Sequence, residues 1–188
     1  MKPVRTAACL AVGSELLGGS ALDSNSLVVT RVLARCGVEV TEKRVVGDDE
    51  ALIATAVSEL LERYDLVAVT GGLGPTVDDL TRRGVARALG RELRHDALVE
   101  GWIRERYASL RREMPVAGRS MAEVVEGTRP LRNPCGSAPG VLAEVGEKIL
   151  VVLPGVPHEM EPMLEQDLVP ELARRAGGRA VEVRTLLL

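Results

Sequence analysis

The residues of this 188-residue chain that could do chemistry sit in short polar loops, each following an apolar run. The plainest case is Gly71-Gly72-Leu73-Gly74-Pro75-Thr76, which closes the run Asp65–Thr70 and leads into Val77-Asp78-Asp79. Glycines let a backbone approach a ligand closely, and N–H groups at a helix start favour an anion. The Gly-Lys-Ser/Thr ending of a P-loop is missing, and so is the dinucleotide glycine spacing. Two carboxylates beside an anion cradle repel a phosphate unless a cation lies between them. That points to a divalent metal such as Mg²⁺, held by Asp78 and Asp79 and bridging to phosphate oxygens. A carboxylate that orients or deprotonates an attacking group is the other use. Thr76 and Asp79 also have the spacing of a helix capping box, which leaves Asp78 as the acid that capping does not explain.

Four further loops carry candidates. Gly13-Ser14-Glu15 through Asp23, Ser24 and Asn25 offers two acids and an amide, and Glu15 has no evident structural use so close to a strand end. Asn25 fits a helix cap as well as a ligand contact. Gly47-Asp48-Asp49-Glu50 contains a helix N-cap, Asp48 or Asp49, and a spare acid. Asn133-Pro134-Cys135-Gly136-Ser137-Ala138-Pro139-Gly140 allows another close backbone approach, and Leu153 to Met160 is a rigid turn before a helix. His95 and His158 have no motif around them, so no Ser-His-Asp or Cys-His arrangement can be assembled.

The elements that must position these loops alternate. Residues 6–13 form an apolar run ending in Gly, as in a strand buried on both faces. A helix follows with Leu27, Val28, Val32 and Leu33 near helical spacing, then a strand over 38–46. The next helix carries the stripe Ile53, Ala56, Val57, Leu60 and Leu61, and residues 65–70 form a third strand. The helix after the glycine loop ends at Gly90. This β-α-β-α-β-α order predicts an α/β fold with a mostly parallel sheet between helices. Ligands of such sheets bind beyond the strand carboxyl ends, where all the polar loops fall. Farther on, a helix over 96–112 places Val99, Ile103, Tyr107 and Leu110 on one stripe, and a short helix is expected near 119–125. A strand pair then flanks the 133–140 turn, another buried strand lies in 148–155, and a helix containing Pro162 and Pro170 precedes a closing strand.

Composition narrows the class. Hydrophobic residues make up 46%, charged residues 27% and aromatics 2%, with no Phe, so the core is aliphatic. A formal net charge of −3 argues against a nucleic-acid surface. Cys9, Cys36 and Cys135 show no metal or redox spacing and read as small buried hydrophobes of a reducing compartment. The amino terminus has no signal-peptide pattern and no run is long enough for a membrane span, so a cytoplasmic protein without membrane partners is expected.

Taken together, "GSELLGGSALDSNS", "VGDDE", "TGGLGPTVDDLTR", "NPCGSAPG" and "LPGVPHEMEPML" resemble the amino-terminal domain of the CinA (competence/damage-inducible protein A) family. That domain belongs to the molybdopterin-binding superfamily. The resemblance covers residues 5 to 175 and implies a three-layer α/β/α sandwich with a mixed sheet, usually a homodimer or homotrimer. Residues 1–177 would form that domain, and 178–188 a terminal strand or the start of a connection to a further domain. The family's adenylyltransferases more often carry Gly-Gly-Thr-Gly, and Gly-Asp-Glu where this chain has Gly13-Ser14-Glu15; these departures set it apart from them. The CinA branch implies metal-dependent hydrolysis of ADP-ribose or a related dinucleotide. Asp48 and Asp79 match the superfamily's catalytic acids, and Asp78 the branch's additional acid. Gly71 to Thr76, with Gly72, Gly74 and Pro75, matches the segment that holds phosphate; Gly136, Ser137 and Ala138, with Pro139 beside them, match the segment that holds the rest of the ligand. Glu15, Asp23 and Asn25 complete the expected substrate site. The expected cofactor is Mg²⁺, Mn²⁺ or Co²⁺, with a monovalent cation as a further candidate and no tightly bound organic group. The other readings are a pterin- or nucleotide-binding module without turnover, and nucleotidyl transfer onto a pterin phosphate.

Overall fold

A computed structural model describes residues 2–176, so the strand expected over 178–188 lies outside the described residues. The runs read as buried strands are β1 (Thr6–Val12), β3 (Leu66–Thr70) and β8 (Lys148–Leu153), which lie parallel and side by side. β2 (Glu39–Val46) pairs in parallel with the outer side of β1 and alternates exposed and half-buried residues, as an edge strand does. On the other side β7 (Gly140–Val145) and β6 (Arg129–Leu131) run antiparallel, giving the order β2-β1-β3-β8-β7-β6. The reversal at β7–β8 is a two-residue hairpin in which Gly146 takes φ 60°, a conformation that suits glycine in such turns. The sheet is therefore mixed and mostly parallel.

Helices cover both faces because alternate strand residues point opposite ways. Leu10, Val67, Val69 and Val152 face α3 (Glu50–Arg63), α4 (Thr81–Leu89) and α5 (Ala97–Ser109), meeting Ile53, Val57, Leu60, Val85 and Ile103. Cys9, Leu66, Ala68 and Val151 face α2 (Asn25–Arg35), α6 (Pro157–Met163) and α7 (Val169–Arg175), meeting Val29, Leu33, Met160, Met163 and Leu172. Cys9 is thus core, and burial raises its thiol pKa to about 11, so it stays protonated.

Four local expectations need correction. The buried stripe of α2 is Val29, Val32 and Leu33, while Leu27 faces outward. In α5 only Val99 and Ile103 are fully buried, and Leu110 is exposed just beyond the last turn. The short helix near 119–125 is a 3₁₀ segment over Val116–Ala122, followed by β5 (Glu123–Val125). β5 pairs with β4 (Leu93–His95) in a small antiparallel sheet that three-residue runs did not betray. The last helix is interrupted by a π turn, Leu164–Leu168, immediately before Pro170. Proline has no N–H to give and its ring crowds the carbonyl four residues back, so widening that turn relieves both.

α3 and α4 approach each other closely at Gly84, where a methyl group would stand 2.5 Å from Ile53 Cγ2 and 3.2 Å from the Glu50 carbonyl oxygen. Gly84→Ala is therefore expected to destabilise the domain by about 1–3 kcal/mol, despite the better helix propensity of alanine, and denaturant unfolding measures it.

Candidate functional site

The carboxyl ends of β1, β2, β3 and β8 open into a cleft of about 670 Å³. It draws on five loops: the segment from Gly13 to Asn25, the β2–α3 turn, the glycine loop, the 133–140 turn and the β8–α6 turn. Of the expected site residues, Glu15, Asp23, Asn25, Asp48, Gly71, Gly72, Gly74, Thr76, Asp78, Asp79, Ser137 and Ala138 line it. Pro75, Gly136 and Pro139 do not; Pro75 faces a smaller hollow behind the loop, beside Arg82 and Ser120.

The first two loops lock together. Asp48 accepts the Ser14 amide at 2.8 Å, and its own amide donates to Ser14 Oγ at 3.1 Å. Asp49 is the N-cap of α3, accepting the Leu52 amide at 2.9 Å, so the two aspartates divide the work. Asp23 accepts both the amide and the hydroxyl of Ser26 and thereby tightens the start of α2. Asn25 Nδ2 donates to the Gly155 carbonyl at 2.7 Å, tying the first loop to the β8–α6 turn. The Glu15 side chain lies over Gly13, where a methyl group would come within 2.5 Å of Oε1, and it makes no hydrogen bond or ion pair among the described residues.

The glycine loop differs from the expectation in one decisive way. Its amides are not all free for an anion. Asp79 Oδ1 accepts the Gly74 amide at 2.7 Å, and Oδ2 accepts the Thr76 amide at 2.8 Å and hydroxyl at 2.5 Å. The carboxylate occupies the anion position that Gly74 and Thr76 create. Thr76 and Asp79 do not form a capping box either, because α4 begins only at Thr81, whose amide donates to Gly72 O and whose hydroxyl donates to Gly71 O. Thr76 and Asp79 close a turn upstream of the helix. Gly71 and Gly72 have φ values of 97° and 62°, and a methyl group on Gly71 would stand 2.3 Å from the Val12 carbonyl oxygen. The amides of Gly72 and Leu73 have no acceptor among the described residues.

Arg82 holds this loop from behind. Only 5% exposed, it donates to Leu73 O at 2.7 Å and Gly74 O at 2.9 Å. Burial pushes its guanidinium pKa below the ordinary value, and the carboxylates of Asp79 and Glu123 pull it back up. The sequence reading missed Arg82, although it lies at helical spacing from the buried Val85 and Ala86 and so falls on an apolar stripe. It also missed Asn133 and Glu159. Asn133 Oδ1 accepts the amides of Cys135 and Gly136, and its Nδ2 donates to Ala138 O and, at 2.7 Å, to Glu159 Oε2. That is an Asx-type turn, for which Asn followed by Pro, Cys and Gly was the available signal. A methyl group on Gly136 would overlap the Glu159 carboxylate, so Gly136 is a packing position behind the cleft wall.

Among the described residues the lining contains the carboxylates of Glu15, Asp23, Asp48, Asp78, Asp79 and Glu159, and no Lys, Arg or His. Among the described residues no three His, Cys, Asp or Glu side chains converge as a ready-made metal cage. Mg²⁺ bridged to phosphate uses only one or two carboxylates plus water. Asp78, exposed on the rim and without a side-chain partner among the described residues, fits that requirement. Asp79 fits it only through oxygen lone pairs that its loop contacts leave over.

A family model described as "Probable molybdopterin binding domain" matches residues 8–174. The crystal structure of CinA, a protein of unknown function from Thermoplasma acidophilum, superposes with a TM-score of 0.84 at 35% identity, covering 90% of this chain and 98% of that one. The chain belongs to the molybdopterin-binding domain family, in its CinA-like branch. CinA-like proteins of Frankia casuarinae and Solibacter usitatus are 44% and 43% identical, each match covering 95% of this chain but 42% of the relative. The chain thus spans less than half the length of these curated relatives. The molybdopterin biosynthesis enzyme MoaB of Thermus thermophilus has the same fold at 22% identity, with a TM-score of 0.61 and 94% of this chain covered. No described helix of this CinA-like domain is long and apolar enough to cross a membrane.

In this CinA-like domain the loop depends on Arg82 for two carbonyl partners. Arg82→Met is expected to lower unfolding free energy by about 2–4 kcal/mol, because two loop carbonyls lose their donors and Asp79 its nearby cation. Hydrogen exchange should show faster exchange at the Gly74 and Thr76 amides, beyond any change at β1; unchanged exchange there would contradict the arrangement.

Proposed function

We propose that this domain binds a phosphorylated pterin or nucleotide in the cleft, together with a divalent cation. The observation that carries this reading is the cleft itself. Its floor is glycine backbone, with amides at Gly72 and Leu73 that have no acceptor among the described residues, while the charged side chains of its described lining are all acidic. The amides can hold one phosphate oxygen. The remaining phosphate charge needs a counter-ion, and Asp78 and Asp79, with Glu15 or Asp48, are the acids placed to share it. Family membership supports a pterin-type ligand.

A second reading, metal-dependent hydrolysis of the diphosphate of ADP-ribose, is favoured by the acids the fold leaves uncommitted. Asp48 is fixed in place by Ser14, and its second oxygen is free to orient a water. Glu15 and Asp78 make no side-chain bonds among the described residues, so each can accept a proton or contact a cation. A bound divalent cation would supply charge neutralisation at the phosphates and acidify water. Nucleotidyl transfer has less support, since Ser14 stands where the adenylyltransferases carry Asp.

Thermal melting with ADP-ribose or neopterin monophosphate, each with and without Mg²⁺, Mn²⁺ or Co²⁺, tests the binding reading. The expected result is a rise in Tm that needs ligand and cation together. Asp78→Asn should weaken ligand binding about tenfold in the presence of cation while leaving the apo Tm unchanged. A cation-independent shift of equal size in both proteins would overturn the cation's role. For hydrolysis, release of AMP and ribose 5-phosphate is the readout, and a protein that binds ADP-ribose with each metal yet releases no AMP is a binding module.

A further inference from the structure

We propose that the hollow behind the glycine loop is a second binding site, separate from the cleft, for a small zwitterion: an α-amino acid with an apolar side chain. Its carboxylate meets Arg82, its ammonium meets Glu123, and its side chain covers Val77 and Val116. This site stands whether or not the cleft holds a phosphorylated ligand.

The hollow differs from the cleft in size and in charge. It measures about 290 Å³, and among the described residues it shares only Thr76 and Asp79 with the cleft lining. Small-molecule cavities run from roughly 300 to 1,000 Å³, so this one suits an amino acid rather than a nucleotide. The described cleft lining carries acids and no base, whereas the hollow carries both signs: Arg82 and Arg83 with Asp79 and Glu123. Asp79 is already engaged by the Gly74 and Thr76 amides.

Arg82 and Glu123 are the groups that the fold leaves incompletely paired there. Arg82 is 5% exposed, and a guanidinium has five N–H donors. One donor goes to Leu73 O and one to Gly74 O, and Nε–H has no acceptor among the described residues. The partnerless side-chain polar atoms without accessible surface are Asn25 Oδ1, Arg106 Nε and Arg175 Nη2. Arg82 Nε is not one of them, so it keeps surface, and the hollow is the cavity that Arg82 lines. Glu123, half-buried in β5, lines the same hollow and makes no side-chain hydrogen bond or ion pair among the described residues. Burial lowers the Arg82 pKa, while the carboxylates of Asp79 and Glu123 raise it, so Glu123 lies within electrostatic reach of a guanidinium it does not bond. A simple anion would satisfy Arg82 and be repelled by Glu123; a simple amine would do the reverse. A zwitterion brings the opposite charge to each.

The apolar lining supplies an independent observation. Val77 is 88% exposed and Val116 86% exposed, and both line this hollow together with Leu80 and Leu93. Val77 stands in the turn after the glycine loop, and Val116 opens the 3₁₀ segment. Valine held in water is unfavourable, and an apolar ligand side chain removes that surface from solvent. Arg82 also holds the Leu73 and Gly74 carbonyls, so an occupant of the hollow touches the residue that supports the glycine loop from behind.

Titration calorimetry of the full chain with L-leucine, N-acetyl-L-leucine, L-leucinamide and inorganic phosphate tests this. Leucine is expected to bind, and the acetylated and amidated forms to bind at least about tenfold more weakly, each lacking one charge-assisted hydrogen bond. Glu123→Gln, nearly isosteric, should weaken leucine about tenfold and change N-acetyl-leucine by less than about twofold, since only the ammonium meets Glu123. Val116→Ala, at an exposed position, should keep the wild-type Tm and weaken leucine about threefold. Phosphate bound as tightly as leucine would make the hollow an anion site and overturn the proposal. So would equal affinity for leucine and N-acetyl-leucine, or a Glu123→Gln protein that binds leucine like wild type. Folded wild-type protein that binds no leucine up to about 10 mM would overturn it as well. None of these readouts depends on the cleft, so either site can fail without the other.

Discussion

The candidate site depends on a carboxylate held inside its own loop. Asp79 takes the Gly74 and Thr76 amides, and Arg82, buried beneath, takes the carbonyl oxygens of Leu73 and Gly74. An anion and a cation thus grip three consecutive peptide groups between Leu73 and Thr76, and the Leu73–Gly74 peptide is held by both. Glycine backbone is otherwise free to sample many conformations, and ordering it costs roughly 1–2 kcal/mol per residue. The two charged side chains supply fixed partners in place of that freedom. Removing Asp79 leaves the buried Arg82 with less compensation, and removing Arg82 leaves two loop carbonyls without donors, so the two act as one device.

The pairing also explains which parts of the loop can meet a ligand. Gly71 cannot carry a side chain, because Val12 O lies against its Cα, and its own amide donates to Leu153 O at 3.1 Å. Gly71 is therefore pinned between β1 and β8, and it sets the floor of the cleft. Gly72 and Leu73 follow with unclaimed amides, whereas Gly74 and Thr76 are occupied. A phosphate could use the latter only by displacing Asp79, which would release a carboxylate next to the anion that expelled it. Binding at Gly72 and Leu73 avoids that conflict.

Much of this was legible in the sequence. Continuous apolar runs marked β1, β3 and β8, and the stripe Ile53, Ala56, Val57, Leu60 and Leu61 marked α3, because burial on both faces of a sheet demands those patterns. The loops at strand carboxyl ends fell together for the same topological reason. What the sequence did not disclose depends on side chains that reach across the fold. Asp79 looked like a helix cap because local spacing allows it; where the helix begins depends on Thr81 reaching back to Gly71 and Gly72. Arg82 went unnoticed because its polar type hides its place on the apolar stripe with Val85 and Ala86. Asn133 and Glu159 meet across 26 residues, a distance no window spans. The small β4–β5 sheet escaped because three-residue strands carry no periodicity.

The charge of the cleft then constrains what it can hold. A phosphate about 5 Å from a carboxylate is repelled by about 3 kcal/mol at an effective dielectric constant near 20. Several acids line this cleft with no basic side chain among the described residues to offset them, and the Arg82 guanidinium is turned toward loop carbonyls. An isolated phosphate is therefore a poor occupant. A ligand that brings a cation with its phosphates has compensation near Asp78. Selection by such a cleft acts on ligand and cation as a unit, because the phosphates alone do not meet the field that these residues present.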